Sequence, residues 1–127
     1  AEAAEQAGAD GFSLINTLIG MRISLDSRRP VLANGTGGLS GPAVLPVAVR
    51  MVHALYRHTS LPIIGMGGVS DWRDAVELAL AGARLVAVGT ATFTDPFAPL
   101  RVVEGVEQYL TGRGERWLDL VGAAHRQ

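Results

Sequence analysis

Two apolar segments, each running into a glycine turn, constrain this chain more than anything else in it. Leu61-Pro62-Ile63-Ile64-Gly65-Met66-Gly67-Gly68 and Ala83-Arg84-Leu85-Val86-Ala87-Val88-Gly89-Thr90 bracket an amphipathic stretch over residues 71–81. Both segments are continuously apolar, the pattern of parallel strands covered on both faces. Parallel neighbours need a long crossover, and the stretch between them supplies a helix. Strand, glycine turn, helix, strand, glycine turn is a pair of successive βα units. That repetition predicts an α/β barrel or a doubly wound sheet. The turn amides then face one space at the carboxyl ends of the strands. In (β/α)8 barrels a phosphate binds there, after the last two strands.

The rest of the chain extends this pattern. Residues 10–15 read as a third apolar strand, closed by Asn16-Thr17. Residues 18–41 read as a long loop carrying Arg22, Arg28 and Arg29 and then Asn34-Gly35-Thr36-Gly37-Gly38-Leu39-Ser40-Gly41. Pro42 is placed to open a helix, and Val44, Val47, Ala48, Met51, Val52 and Leu55 fit one helical face. Ser70 reads as the N-cap of the 71–81 helix, with Asp71 and Asp74 near its positive end and Gly82 as its stop. A helix is expected over about 98–110 and a final short one over about 115–123. A complete barrel takes about 250 residues. Three strands in 127 residues therefore predict the carboxyl-terminal portion of a (β/α)8 barrel, about strands six to eight. The chain also lacks an initial methionine and opens in what reads as a helix end, residues 1–7, with Gly8 in the C-cap position. Residues 1–127 are accordingly expected to be a fragment of a single, longer domain.

Composition narrows the chemistry. At 48% hydrophobic and 18% charged the chain is globular in character. A formal charge of −1 gives no reason to expect nucleic acid or an anionic membrane as partner. The chain has no cysteine, which excludes a disulfide, a thiolate metal site or a cysteine nucleophile within it. All 11 basic residues are arginine, which excludes a lysine Schiff base. No apolar run reaches the roughly 18–20 residues of a membrane span, no signal peptide is visible, and a cytoplasmic setting is expected. His53, His58 and His125 show no spacing that pairs them with carboxylates or with each other, so they read as solvated. Met21, Met51 and Met66 read as packing, as do Trp72 and Trp117 on the outer faces of helices.

Four motifs carry candidate chemistry. At Gly67-Gly68 the missing Cβ lets the backbone approach an anion and adopt positive φ, so that successive N–H groups face phosphate oxygens. The helix behind it would add its positive end. Gly89-Thr90 offers a second set of amides and a hydroxyl. Each turn by itself is equally an ordinary βα connection; a pair on consecutive strands is more specific. Asn16-Thr17 combines a carboxamide that donates and accepts with a hydroxyl donor, suited to a planar imide or a carboxylate, although a strand-ending Asn also caps its own turn. The 37–41 glycine stretch reads as a lid, a close approach to a flat ring or a mobile linker, with the amide of Gly41 near the ligand.

At these residues the chain resembles a family. Leu14-Ile15-Asn16-Thr17, the 33–43 segment, Ile63-Ile64-Gly65-Met66-Gly67-Gly68-Val69 and Val88-Gly89-Thr90-Ala91 are similar, in order, to the carboxyl-terminal half of dihydroorotate dehydrogenase, most of all the class 1B, NAD-linked catalytic subunit. The resemblance implies an FMN-containing (β/α)8 barrel that oxidises dihydroorotate to orotate in pyrimidine biosynthesis. It implies substrate contacts at Asn16 and Thr17 and flavin contacts at Ile15 and Gly41. It implies an FMN phosphate cradle at Gly67, Gly68, Gly89 and Thr90. It also implies a cysteine base and a flavin-contacting lysine on earlier strands, neither of which this chain contains. A partner subunit with FAD and a 2Fe–2S cluster, passing electrons to NAD, is implied as well, around a homodimeric core in a heterotetramer. Two further readings compete: the flavin domain of a dihydropyrimidine dehydrogenase, and a non-catalytic phosphate-binding partial barrel.

Overall fold

A computed structural model describes residues 1–126, and in it strands and helices alternate along the chain. A one-turn helix α1 (Glu2–Gln6) precedes strand β1 (Phe12–Leu14). Next come β2 (Leu18–Gly20) and β3 (Gly37–Leu39), a 3-10 turn (Pro42–Val44) and α2 (Leu45–Tyr56). β4 (Ile63–Met66), α3 (Trp72–Ala81) and β5 (Leu85–Ala87) follow. The chain then runs through α4 (Ala91–Thr94), α5 (Ala98–Arg113), α6 (Trp117–Leu120) and a 3-10 turn (Ala123–His125).

β1, β4 and β5 form one parallel sheet in that order. Phe12 lies opposite Ile63, and Ile64 opposite Leu85. Parallel register puts all three carboxyl ends on one edge, so Ile15, Gly67 and Val88 leave the sheet side by side. The core forms where α2 and α3 pack on these strands, around Val44, Val52, Ile63 and Leu78, each at most 2% exposed. Burying a side chain of this size stabilises by about 1.5–3 kcal/mol, and these four hold the strand ends in place.

α3 starts one residue later than Ser70 would place it. Asp71 is the N-cap, its carboxylate accepting from the Arg73 amide at 2.6 Å. The Asp74 carboxylate reaches back and accepts from the Asp71 amide at 3.0 Å and from the amide and hydroxyl of Ser70 at 2.8 Å each. Burial pushes the Asp74 carboxyl up, but those hydrogen bonds and the Arg73 charge outweigh it and leave the group below its ordinary value. A lowered folded-state value stabilises above the unfolded value and is lost as the pH falls through the folded one. Asp74→Ala is expected to destabilise the protein by about 1 kcal/mol at neutral pH. The gap to the native sequence should close below about pH 4, which denaturant midpoints across the pH range would check.

The segment from 18 to 41 departs from expectation. It is an antiparallel ribbon, with Leu18 opposite Leu39 and Gly20 opposite Gly37, and a further bridge joins Ile23 to Pro30. The structure thus has five strands rather than three. Strands of the composition Leu-Ile-Gly and Gly-Gly-Leu carry too few side chains to show an alternating pattern. The short helix α4 was not expected, α5 continues to Arg113, and the terminal helix is broken at Gly122, which sits at φ 69. That break turns the end of the chain onto α2. There the rings of His53 and His125 stack at 4.0 Å and His125 Nε2 lies 3.0 Å from the Ala81 carbonyl oxygen, so these two histidines are paired with each other rather than separately solvated. Trp72 packs on Tyr109 at 5.2 Å, and Trp117 Nε1 donates to the Arg84 carbonyl at 2.8 Å. Among the described residues no helix is long and apolar enough to cross a membrane.

Candidate functional site

A solvent-open cleft of about 170 Å³ lies at the carboxyl ends of the three parallel strands. Ile15, Asn16 and Thr17 enter it from β1, Gly67 and Gly68 from β4, Gly89 and Thr90 from β5. These are seven of the eight residues expected from the sequence. The eighth, Gly41, is buried directly behind: a Cβ on it would stand 3.8 Å from Thr90 Cγ2. Motifs 73 residues apart in sequence (Thr17 and Thr90) thus face one space because parallel register brings their strands out together.

The Gly67-Gly68 turn is tightly seated. Both residues have positive φ, 115 and 82. A Cβ on Gly67 would lie 2.9 Å from Ile15 Cγ1, and one on Gly68 would lie 2.7 Å from the Leu45 backbone nitrogen. Gly89 is different, since a Cβ there meets nothing within 4 Å. Among the described residues no acceptor takes a hydrogen bond from the amides of Gly67, Gly68, Gly89 or Thr90. These four residues are exposed or half-exposed, and backbone amides without protein partners are the donors that an anion can use. The expected contribution of the following helix is corrected: the start of α3 is covered by Asp71 and Asp74, so its positive end is not free for a ligand.

Asn16 takes the turn-closing role that its position suggested. Its Oδ1 accepts from the Thr17 amide at 2.7 Å and from Thr17 Oγ1 at 3.4 Å, closing the turn. An oxygen facing a backbone N–H fixes the flip of the amide, so Nδ2 remains with two N–H donors to offer. Among the described residues no charged and no titratable side chain lines the cleft. It can seat an oxyanion and a planar hydrogen-bonding ring, and it holds no general base.

Leu39, Ser40, Val44, Met66, Ala87 and Val88 also line the cleft, and sequence reasoning did not assign them to it. The signal for Leu39 and Ser40 was present in the 37–41 stretch, which is ribbon and strap rather than a mobile linker. Met66, expected to be packing, lines the cleft with its sulfur 3.8 Å from Ser13 Oγ.

A family model described as dihydroorotate dehydrogenase matches residues 1–110. The catalytic subunit of dihydroorotate dehydrogenase B (NAD(+)) from Halalkalibacterium halodurans is 52% identical over 128 residues, covering 100% of this chain and 42% of that protein. Its counterpart from Cutibacterium acnes is 61% identical over 107 residues, covering 84% and 35%. The crystal structure of the Eimeria tenella enzyme DHODH in complex with ferulenol superposes with a TM-score of 0.81 at 30% identity, covering 99% of this chain and 34% of that one. The chain spans about two fifths of the length of the curated relatives it matches. Its parallel sheet is a portion of a (β/α)8 barrel, as the strand repeat predicts.

Proposed function

The chain belongs to the dihydroorotate dehydrogenase family, and on that premise we propose that it is the carboxyl-terminal part of a single FMN-dependent barrel domain that oxidises dihydroorotate to orotate in pyrimidine biosynthesis. The observation that carries this reading is the one cleft in which Asn16-Thr17 faces both glycine turns.

The residues present fit FMN. Four unpartnered amides, at Gly67, Gly68, Gly89 and Thr90, suit a phosphate, and no carboxylate lines the cleft to oppose it. Ile15, which is buried and lines the cleft, offers an apolar surface to a flat ring system, and Gly41, packed against Thr90, is the flavin contact that the family resemblance adds. FMN bound there would supply the hydride acceptor. Asn16 Nδ2 and the Thr17 hydroxyl orient the pyrimidine by hydrogen bonds. Leu39, Val44 and Val88 keep the reacting faces dry. No side chain in the cleft takes up the substrate proton, so the base belongs to a part of the domain outside these residues. The words "NAD(+)" and "catalytic subunit" in the relatives' names support a separate electron-transfer subunit; FAD and a 2Fe–2S cluster on that subunit, and a homodimeric catalytic core, are what the family resemblance adds to this reading.

The test is the absorption spectrum of the purified full-length protein before and after anaerobic addition of dihydroorotate. Bleaching of a flavin band is the expected outcome. A flavin that stays oxidised with dihydroorotate but bleaches with another dihydropyrimidine overturns the substrate, and a protein without flavin overturns the cofactor.

A further inference from the structure

We infer that Gly38 is a positioning residue for the substrate end of the cleft, its bare backbone fixing the Thr17 side chain and, through it, the Asn16 carboxamide. The inference rests on the reading of Asn16-Thr17 as the pyrimidine contact.

The ribbon register makes the point. Ile19 lies opposite Gly38, and Thr17, two residues earlier, shares the face of Ile19. Thr17 and Gly38 are therefore diagonal neighbours, which ordinarily stand about 7–8 Å apart. Here the Thr17 side chain lies down on the Gly38 backbone. A Cβ on Gly38 would overlap Thr17 Oγ1 and stand 2.6 Å from Thr17 Cβ and 3.1 Å from Cγ2. All three side-chain atoms block the same space, and a β-branched residue is stiff at χ1 and cannot swing clear. Gly37 makes a useful contrast, because a Cβ there meets the tip of the flexible Leu32 side chain. Gly38 is also absent from the positive-φ glycines, so its backbone conformation does not call for glycine. Contact with Thr17 is the reason that remains.

What the contact fixes is a donor set. Thr17 Oγ1 and the Thr17 amide both reach Asn16 Oδ1, at 3.4 and 2.7 Å. With the oxygen occupied, the carboxamide presents its N–H groups. Displacing Thr17 releases one of the two bonds that hold it and moves the hydroxyl as well.

In the full-length flavoprotein, Gly38→Ala is expected to raise the KM for dihydroorotate and the Kd of orotate about tenfold, the effect of one misplaced hydrogen bond. The Kd is read from the perturbation of the flavin spectrum. Flavin content stays near native, because Gly67, Gly68, Gly89 and Thr90 stand on other strands, while the melting temperature falls with the overlap at Thr17. Adding Thr17→Ser, which removes Cγ2 and frees the hydroxyl to rotate, recovers part of the orotate affinity. Gly20→Ala serves as the ribbon control, since its Cβ finds its nearest neighbour, Leu39 Cβ, at 3.7 Å. Orotate affinity within twofold of native in Gly38→Ala overturns the inference. So does a parallel loss of flavin, melting temperature and orotate affinity with no recovery from Thr17→Ser. If Gly38→Ala does not fold, Thr17→Ser alone decides: severalfold weaker orotate binding supports the locked hydroxyl, and unchanged binding overturns it. A native flavoprotein that ignores both dihydroorotate and orotate sinks the functional reading instead, which separates the two failures.

Discussion

Gly68→Ala is expected to strip most of the flavin from the full-length protein and to destabilise it by about 3 kcal/mol. Alanine at φ 82 carries a left-handed penalty of about 1–2 kcal/mol. The larger problem is the neighbour. The new Cβ would stand 2.7 Å from the Leu45 nitrogen and Cβ and 2.9 Å from its Cα. Those atoms begin α2, so no side-chain rotation relieves the overlap. Either α2 or the turn must shift, and the turn carries the Gly67 and Gly68 amides assigned to the phosphate in the proposed function. Flavin absorbance per mole of protein and the thermal midpoint check this together. A variant that keeps a full complement of flavin would show that the turn does not hold the phosphate.

The opposite profile is expected for Gly89→Asp. A Cβ at Gly89 meets nothing within 4 Å, so the fold has room for the substitution. The carboxylate, however, arrives beside the amides of Gly89 and Thr90. A charge about 4 Å from a phosphate repels it by roughly 4 kcal/mol at an effective dielectric of 20. Screening and rotation of the side chain reduce this, and a loss of at least about a hundredfold in FMN affinity remains. The melting temperature measured without added FMN should be unchanged, and Gly89→Ala should bind FMN nearly as well as the native sequence. FMN titration of the apoprotein, followed by fluorescence, reads the difference. Equal affinity in the Asp variant would remove Gly89 from the phosphate site.

The parallel strands were legible because Ile63-Ile64 and Leu85-Val86-Ala87-Val88 are apolar without interruption and end in glycine. The shared cleft followed from them, since parallel register leaves little choice about where the turns meet. Other features depend on contacts that local sequence does not carry. The ribbon is built from strands whose glycines hide any alternation, and what pairs them is the long return from Gly20 to Gly37. Ser70 and Asp71 are both good caps, and the choice between them is made by Asp74, which stands three residues after Asp71 and completes a reciprocal cap with it. His53 and His125 meet only because Gly122 turns the chain back. At Asn16 the turn-closing alternative holds through the oxygen, and it leaves the nitrogen free of protein partners among the described residues.

The carboxylates at the start of α3 and the absence of any cationic side chain from the cleft have a joint consequence. On the proposed reading, the described residues would hold the phosphate through backbone dipoles, with no side-chain charge beside it. Mobile salt weakens a pair of exposed full charges over a Debye length of about 10 Å, but it has less hold on the dipoles of backbone N–H groups. Such a grip reads the shape of a tetrahedral oxyanion before its charge. It discriminates against chloride, which cannot engage several amides in directed bonds at once, and in favour of an ester whose remaining atoms can lie back over Ile15.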